Sequence, residues 1–310
     1  MNSNPSIIFM GTPEFAVASL HALLENGFHV VAVVTAPDKP AGRGLKLSES
    51  AVKRYAIQEK IPVLQPVKLK DPSFHEQLKS FQPDIQIVVA FRMLPEVVWS
   101  MPPSGTINLH GSLLPQYRGA APINRVIMNG ESKTGVTTFK LQQEIDTGNI
   151  LLMEELSIGP DETAGELHDR MKEIGAGLVI RTIRGLIDGT VQEKPQQVVD
   201  PQSLQMAPKI FPADCEIHWE DPIQKIYNQI RGLSPFPGAF ILLETKLCKV
   251  FRSHMEINSR PGKKGTMETD RKTWLRFSAS DGYIYIDELQ LEGKRKMSIG
   301  DFLRGYRFKA

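Results

Sequence analysis

The chain has 310 residues, of which 41% are hydrophobic and 23% charged, and this composition is typical of a soluble globular protein. We expect a cytoplasmic protein, because no stretch has the roughly 18 apolar residues of a membrane helix and the first residues do not resemble a secretory signal. Cys215 and Cys248 are far apart in sequence and predict two isolated thiols, which excludes a disulfide framework and a cysteine metal cluster.

The first half of the chain begins with a strand, a helix and a second strand. Residues 6–10 are a short apolar run that ends at Gly11. Pro13 is favoured at the first position of a helix, and apolar residues then recur at helical spacing until Gly27. Residues 30–34 are a β-branched run, which predicts the second strand.

Strand and helix signals continue to alternate after this point. Residues 85–89 and 106–109 are candidate buried strands, and helical patterns cover 50–59 and 73–81. Short apolar strands that alternate with helices indicate a parallel sheet covered by helices, so we predict a doubly wound, Rossmann-like α/β domain. The first strand-to-helix turn contains only one glycine, which argues against a Gly-x-Gly-x-x-Gly dinucleotide site and against NAD chemistry.

The second half of the chain changes character after one long helix. That helix is predicted over residues 163–188, and a polar connecting arm follows at 189–206. Turn residues then separate short strand-like runs, which indicate a small β-barrel of the oligonucleotide-binding type. The runs are 217–219, 239–244, 248–253, 274–279 and 283–288. We therefore predict a first domain at 1–189, a linker at 190–207 and a β-barrel domain at 208–310.

Residues 106–115 contain the densest group of chemically useful side chains. Asn108 and His110 are two apart in a predicted strand and therefore project to the same face. They lie at the carboxyl end of that strand, where open α/β sheets bind their ligands. An amide beside an imidazole can hold a developing oxyanion and transfer a proton. The alternative is a hydrogen-bonded pair at a strand end with no catalytic role.

Two later segments add to this candidate site. Residues 116–122 contain small side chains that permit close approach of the backbone. Residues 144–148 place the carboxylate of Asp146 in a turn between two apolar runs, in the tripeptide Asp146-Thr147-Gly148. Taken alone, this tripeptide is weak evidence for a site, because it more often marks an ordinary turn that begins at an aspartate.

The order of these motifs resembles the folate-dependent formyltransferase family, which pairs an Asn-x-His-x-Ser-Leu-Leu-Pro segment with a later Asp-Thr-Gly. The resemblance covers nearly the whole first domain. It implies a catalytic site of Asn108, His110 and Asp146, a 10-formyltetrahydrofolate co-substrate and no metal. It also implies a folate pocket lined by Ser112, Leu113, Leu114 and Pro115.

One segment departs from the pattern of the family. Members commonly have an Ala-Tyr/Phe-Gly-x-Ile/Leu-Leu-Pro stretch near the folate, whereas residues 90–95 are one residue shorter and carry Arg92 in place of the glycine. The resemblance still assigns Phe91, Met93 and Leu94 to the pterin pocket. The effect of Arg92 on the pocket is left open at this stage.

A basic, irregular loop at residues 36–47 follows the second strand and holds Lys39, Arg43 and Lys46. It resembles the loop that tRNA-acting members of the family insert into the acceptor arm, and Arg43 matches an arginine used in recognition. Mobile guanidinium groups are suited to phosphate contact and base stacking. Composition alone is also compatible with a plain surface loop.

The C-terminal part adds a second basic region. Residues 208–310 contain 18 Lys and Arg against 13 Asp and Glu, a balance of +5, whereas the whole chain has a net charge of +2. An excess of this kind indicates an anionic partner or a normally solvated basic surface. Residues 208–210 and 231–239 resemble family segments, and through them Lys209 and Arg231 are assigned to tRNA binding.

Together, these features predict transfer of a formyl group to the α-amino group of methionyl initiator tRNA by a monomeric protein without membrane contact. An enzyme that formylates an amino sugar nucleotide would share the three catalytic residues but would not need the loop around Arg43. Enzymes that act on glycinamide ribonucleotide usually lack the barrel. A noncatalytic RNA-binding protein is the alternative from another class, and the intact set of polar residues argues against it.

Overall fold

The computed structural model describes residues 4–41, 46–198 and 200–308. The chain forms two compact units, each made of three segments. The first unit contains Met1–Gly119, Gly135–Leu156 and His168–Met206, and the second contains Ala120–Thr134, Ser157–Leu167 and Ala207–Ala310. The predicted domains are two continuous stretches with limits at residues 189 and 208. Each observed unit instead combines three stretches that alternate with those of the other unit.

The strands alternate with helices in the first half and follow one another in the second half. In chain order they are β1 (Ile7–Gly11), β2 (Val30–Val34), β3 (Lys39–Ala41), β4 (Lys46–Ser48), β5 (Val63–Leu64), β6 (Ile85–Val89), β7 (Thr106–His110), β8 (Arg118–Gly119), β9 (Lys133–Lys140), β10 (Ile150–Ser157), β11 (Met206–Ala207), β12 (Ala239–Leu243), β13 (Lys246–Ile257), β14 (Met267–Thr269), β15 (Leu275–Ser278), β16 (Gly282–Leu291) and β17 (Met297–Ser298).

The helices are α1 (Glu14–Glu25), α2 (Ala51–Gln58), α3 (Pro72–Ser80), α4 (Glu96–Trp99), α5 (Pro122–Met128), α6 (Ala164–Ile187), α7 (Ile223–Leu233) and α8 (Ile299–Gly305). Local signals explain several of their ends. The Ser50 side chain accepts a hydrogen bond from the backbone of Lys53 and so caps α2, and Gly27 follows α1 with a φ of +75°. Within the part of the chain that the structure describes, no helix has the length and apolar content needed to span a bilayer.

The sheet of the first unit has the strand order β10-β9-β7-β6-β1-β2-β5. Strands β5, β2, β1, β6 and β7 are parallel, and β9 runs antiparallel to β7. Strands β1 and β6 are buried along their whole length because their side chains are almost all apolar and both faces of the sheet are covered. The prediction of a doubly wound, Rossmann-like α/β fold is confirmed.

The sheet of the second unit is antiparallel, with the order β12-β13-β16-β15-β14 and with β17 paired to β16. The register between β13 and β16 shifts around Arg252, which is the position of a β-bulge and lets a long strand bend. The predicted OB-like barrel is present as an antiparallel half-barrel sheet. Its core is formed by apolar side chains of the strands together with α7 and α8.

Two features of the second unit differ from the sequence-based expectation. Residues 217–219 do not form a strand; Glu216 makes one isolated bridge to Phe240, because the turn before Pro222 ends the extended stretch. Helix α7 was not expected. Its buried residues Ile226, Ile230 and Leu233 have helical spacing, which was the available signal.

Candidate active site

Strand β7 carries the first two candidate residues at its carboxyl end. His110 is only 6% exposed, and its Nε2 lies 2.9 Å from the backbone oxygen of Tyr117. Because a carbonyl oxygen can only accept, Nε2 carries the hydrogen of this bond. The remaining ring nitrogen, Nδ1, is therefore the atom at which the imidazole can exchange a proton with a ligand. The Tyr117 N–H in turn donates to the oxygen of Gln205.

Asn108 lies two residues before His110 on the same strand and projects to the same face. In the register with β9, Asn108 is opposite Phe139, and the centres of the Phe139 and His110 rings are 6.5 Å apart with the ring planes at 82°. The Asn108 side chain is half-buried and has no hydrogen-bond partner within residues 4–41, 46–198 and 200–308. Its amide is therefore available to a ligand.

Asp146 is brought to the same place by the turn before β10. Its Oδ2 lies 3.8 Å from Nδ1 of His110 and accepts a hydrogen bond of 2.9 Å from the backbone N–H of Gly119. The separation from the imidazole permits an ion pair but not a direct hydrogen bond, so the ring orientation is set by Tyr117 rather than by Asp146. Asp146 has a φ of +54°, a backbone conformation that aspartate tolerates better than most residues.

Gly148 allows this turn to approach the sheet closely. A Cβ at position 148 would lie 1.6 Å from the backbone oxygen of Lys140 at the end of β9. Only glycine fits such a contact, which gives the Asp146-Thr147-Gly148 tripeptide a physical reason beyond a generic turn. The small residues at 116–122 act similarly, because the N–H of Gly119 reaches the Asp146 carboxylate.

An imidazole nitrogen and a carboxylate thus lie together at the carboxyl end of the central sheet, beside the strand face to which Asn108 also belongs. This arrangement can stabilise a negative charge on a reacting oxygen and move a proton. Over the described ranges, no cluster of His, Cys, Asp and Glu side chains has the arrangement of a metal site.

The residues assigned to the folate pocket differ in exposure. Met93 is 72% exposed, and Leu113, Pro115 and Phe91 are half-buried, so all four have surface for a ligand. By contrast, Ser112, Leu114 and Leu94 are buried. The hydroxyl of Ser112 donates to the backbone oxygen of Gln116 instead of pointing to solvent. These three side chains therefore offer little surface to a ligand in this structure.

Arg92, which replaces the usual glycine, joins two segments. Its guanidinium donates to the backbone oxygens of Pro66 and Val67, the latter at 3.1 Å, and it lies 5.6 Å from the centre of the Phe91 ring. Burial lowers the pKa of Arg92 below its ordinary value. Arg92 therefore holds the loop after β5 against the segment after β6, a function that a glycine cannot have.

In the basic loop, β3 and β4 pair antiparallel as a short hairpin. Lys39 is exposed, the side chain of Lys46 is not described, and Arg43 lies outside the described residues. At the base of the hairpin, Asp38 accepts hydrogen bonds from Lys53 and Gln65, and these bonds lower the pKa of the Asp38 carboxyl below its ordinary value. The start of the hairpin is therefore anchored to α2 through Lys53 and to Gln65 after β5.

Lys209 and Arg231 have different environments in the second unit. Lys209 is exposed, with its ammonium group 5.6 Å from the centre of the Phe211 ring. Arg231 is only 6% exposed and donates to the side chain of Asn228 at 2.9 Å and to the backbone oxygen of Glu162 at 3.2 Å. A buried and hydrogen-bonded guanidinium is not available to tRNA, so the assignment of Arg231 to tRNA binding is replaced by a structural role.

Comparison with known proteins shows to which family a chain with this fold, and with this candidate site at the end of β7, belongs. Residues 5–183 match the formyl transferase family, and residues 209–307 match the formyl transferase C-terminal domain. The chain belongs to the formyl transferase family.

Its relatives include proteins named methionyl-tRNA formyltransferase. One from Parabacteroides distasonis is 48% identical over 309 residues, covering 97% of this chain and 95% of that protein. One from Bacteroides thetaiotaomicron is 46% identical over 307 residues, with coverage of 97% and 95%. The fold also resembles the N-formyltransferase from Helicobacter canadensis in complex with folinic acid and dTDP-3-aminofucose. That comparison has a TM-score of 0.65 and 20% identity and covers 94% of this chain and all of the other.

Proposed function

We propose that this protein transfers the formyl group of 10-formyltetrahydrofolate to the α-amino group of methionyl initiator tRNA. The observation that carries the proposal is the meeting of His110 Nδ1 with the Asp146 carboxylate on the strand face that also bears the Asn108 amide. Support for the acceptor comes from the names of the relatives, which align with nearly the full length of this chain.

The proposed chemistry needs two hydrogen-bond donors and a route for one proton. The folate supplies the formyl group; the amine nitrogen bonds to the formyl carbon, the bond from that carbon to N10 breaks, and the amine proton ends on N10. Asn108 donates to the formyl oxygen from its free amide, and His110 donates from Nδ1 because Tyr117 occupies Nε2. Asp146 stabilises positive charge on the imidazole and accepts the amine proton through water.

The residues near the site fit a folate co-substrate. A pterin needs an apolar surface together with polar groups that fix its orientation. Exposed or half-buried Met93, Phe91 and Leu113 supply apolar surface, and the Asn108 amide supplies an available polar group. Arg92 supports the same region from behind by holding the carbonyl groups of residues 66 and 67.

The proposed tRNA contacts are Lys39, Arg43, Lys46 and Lys209. Lys39 and Lys209 are exposed, and Lys39 lies on β3, which pairs with the strand β4 that begins at Lys46. The charge balance of +5 over residues 208–310 favours an anionic partner. Because the proposed acceptor is a charged tRNA, we propose that the protein acts in the cytoplasm, as a monomer.

The direct test is to incubate the protein with 10-formyltetrahydrofolate and one of three acceptors. These are charged initiator tRNA, uncharged initiator tRNA and an amino sugar nucleotide. We expect formyl-methionine only on the charged tRNA, because it alone of the two tRNAs presents an aminoacyl amine. Formylation of the sugar with none on the charged tRNA would overturn the proposed acceptor.

A further inference from the structure

The arm after α6 does not run freely between the two halves of the chain. The backbone of Lys194 pairs with that of Ile150 through hydrogen bonds of 2.8 and 2.9 Å. The carboxylate of Glu193 accepts from Asn149 at 3.1 Å and forms an ion pair of 2.6 Å with Lys140. The arm therefore lies along the segment that leads from the Asp146 turn into β10.

Gln196 makes the most specific contact of this arm. Its single Nε2 group donates to two backbone oxygens, those of Asp146 and Gly148, each at 2.8 Å. These two carbonyl groups flank Thr147, so one amide spans the whole turn that carries the candidate carboxylate. Both hydrogens of the amide are used, which leaves the turn little freedom to rotate.

Arg118 holds the other end of the same amide. Its Nε and Nη2 donate to Oε1 of Gln196 at 3.1 and 2.6 Å. A cation on the oxygen of an amide polarises the group and strengthens the hydrogen bonds that its nitrogen donates. Gly119, the residue after Arg118, donates to the Asp146 carboxylate itself, so the β8 segment reaches the Asp146 side chain directly and its backbone through Gln196.

We propose that Gln196 is a positioning residue for formyl transfer, whose amide holds the Asp146-Thr147-Gly148 turn so that the carboxylate stays beside His110. The expected loss of kcat rests on the proposed function, whereas the expected loosening of the turn does not. The turn needs such support because Asp146 has a positive φ, and the 3.8 Å distance to His110 is not secured by a direct hydrogen bond.

The test compares Gln196→Leu with Gln197→Leu. Leucine has a similar size and removes the amide, and Gln197 is an exposed neighbour of the same type with no hydrogen-bond partner among the residues that the structure describes. We expect Gln196→Leu to lower kcat by about 10- to 100-fold with KM little changed, because small displacements of catalytic groups have effects of this size. Gln197→Leu should keep the wild-type kcat.

Hydrogen–deuterium exchange provides a readout that needs no substrate. Amides of the peptide 144–150 should exchange faster in Gln196→Leu than in the wild type or in Gln197→Leu, while the far-ultraviolet circular dichroism stays the same. Gln196→Glu retains the acceptor for Arg118 but loses both donors, and we expect it to behave like Gln196→Leu. Unchanged exchange and unchanged kcat in both Gln196 variants would overturn the inference.

A double substitution separates positioning from a general effect on the fold. In an Asp146→Asn background, measured in single turnovers with enzyme in excess, Gln196→Leu should add little further loss, since the group that it positions is already gone. A further loss equal to that in the wild-type background would contradict the proposal. The rates are measured with whichever amine the wild-type protein formylates, so a different acceptor would overturn the proposed function and leave this comparison intact.

Discussion

His110 is held by a backbone carbonyl at one ring nitrogen and faces a carboxylate with the other. In the proposed mechanism the two nitrogens have separate tasks, because Nε2–H is occupied and Nδ1 is left for the reaction. Asn108, on the same strand, has no competing partner in the described part of the chain. At the scale of single residues, the backbone contacts fix the His110 ring, while His110 Nδ1 and the Asn108 amide remain available to a ligand.

Alanine substitution of Asn108, His110 or Asp146 should therefore abolish most activity without unfolding the protein. Loss of one donor to a developing oxyanion typically lowers the rate by about 100- to 1000-fold. The measurement is the rate of formyl transfer to charged tRNA together with circular dichroism of each variant. His75→Ala is the matched control, since His75 also has Nε2 on a backbone carbonyl, at 2.8 Å, and should keep the wild-type rate. Full turnover by His110→Ala would refute the assignment.

The environment of Tyr227 makes the stability of the fold depend on pH, independently of catalysis. Burial and a 2.6 Å hydrogen bond to Asp161 raise the pKa of Tyr227 to about 12, from an ordinary value of 10.0. The folded state keeps the phenol proton where the unfolded state has lost it, so this stabilisation is fully present below pH 10 and is lost as the pH rises towards 12.

Tyr227→Phe should therefore lower the free energy of unfolding at pH 8, by about 1 kcal/mol or more through loss of the hydrogen bond. The difference from the wild type should shrink between pH 10 and 12, because phenylalanine has no proton to lose in either state. Urea unfolding of both proteins at pH 8 and pH 11 measures this difference. A difference that stays constant over the two pH values would show that the phenol proton does not contribute.

At the scale of elements, turns determine where the side chains of the proposed site lie. Strand β7 places Asn108 and His110, but Asp146 arrives from a turn about 35 residues later, and this turn is fixed by contacts with the end of β9. The Gly148 contact with Lys140 and the amide of Gln196 secure that turn from two sides.

Gly148→Ala should disturb this turn and with it both stability and activity. The new Cβ would lie 1.6 Å from the Lys140 oxygen, so the backbone must move, and we expect a loss of about 1–3 kcal/mol in unfolding free energy. Formyl transfer should fall as the Asp146 carboxylate is displaced.

Gly177→Ala is the matched control for this substitution. Gly177 lies in α6, and no described atom is within 4 Å of a Cβ built there. Alanine in a helix is about 0.5–1 kcal/mol more stable than glycine, so this variant should gain stability and keep its activity. Equal behaviour of the two alanine variants would refute the role assigned to close approach at Gly148.

At the scale of the whole molecule, charge is distributed unevenly along the chain. Residues 208–310 carry a balance of +5, although the net charge of the chain is only +2. Arg231 adds to this balance but is buried against the backbone of the 157–167 segment. It therefore stabilises the second unit and contributes little to the positive potential at its surface. Exposed cations such as Lys209 determine how the surface attracts a polyanion.

Binding of initiator tRNA should consequently weaken steeply with salt. Each phosphate contact contributes a log–log slope of about 0.7–0.9, and Lys209→Gln should reduce the slope by about one contact. Lys225→Gln is the control, because Lys225 is already paired with Asp221 at 2.8 Å. Binding titrations from low to physiological salt measure both slopes, and an affinity for tRNA that does not change with salt would favour a small-molecule acceptor.

Several properties could be predicted from local sequence alone, because they depend on near neighbours in the chain. The β-branched and apolar runs determine β1, β2, β6 and β7, and the spacing of apolar residues determines α6. The period of two in a strand likewise places Asn108 and His110 on one face.

Other properties were decided by contacts between residues distant in sequence. The family resemblance predicts tRNA binding for Arg231, whereas packing of α7 buries it, and the pattern of residues 217–219 predicts a strand where a turn precedes Pro222. The arm around Gln196 reads as a polar linker because its partners, Asp146 and Gly148, lie about 50 residues earlier. Local patterns specify the elements, since propensity and periodicity act over a few residues. Burial, hydrogen-bond partners and the geometry of the site depend on which elements meet in the folded chain, and only the tertiary structure decides that.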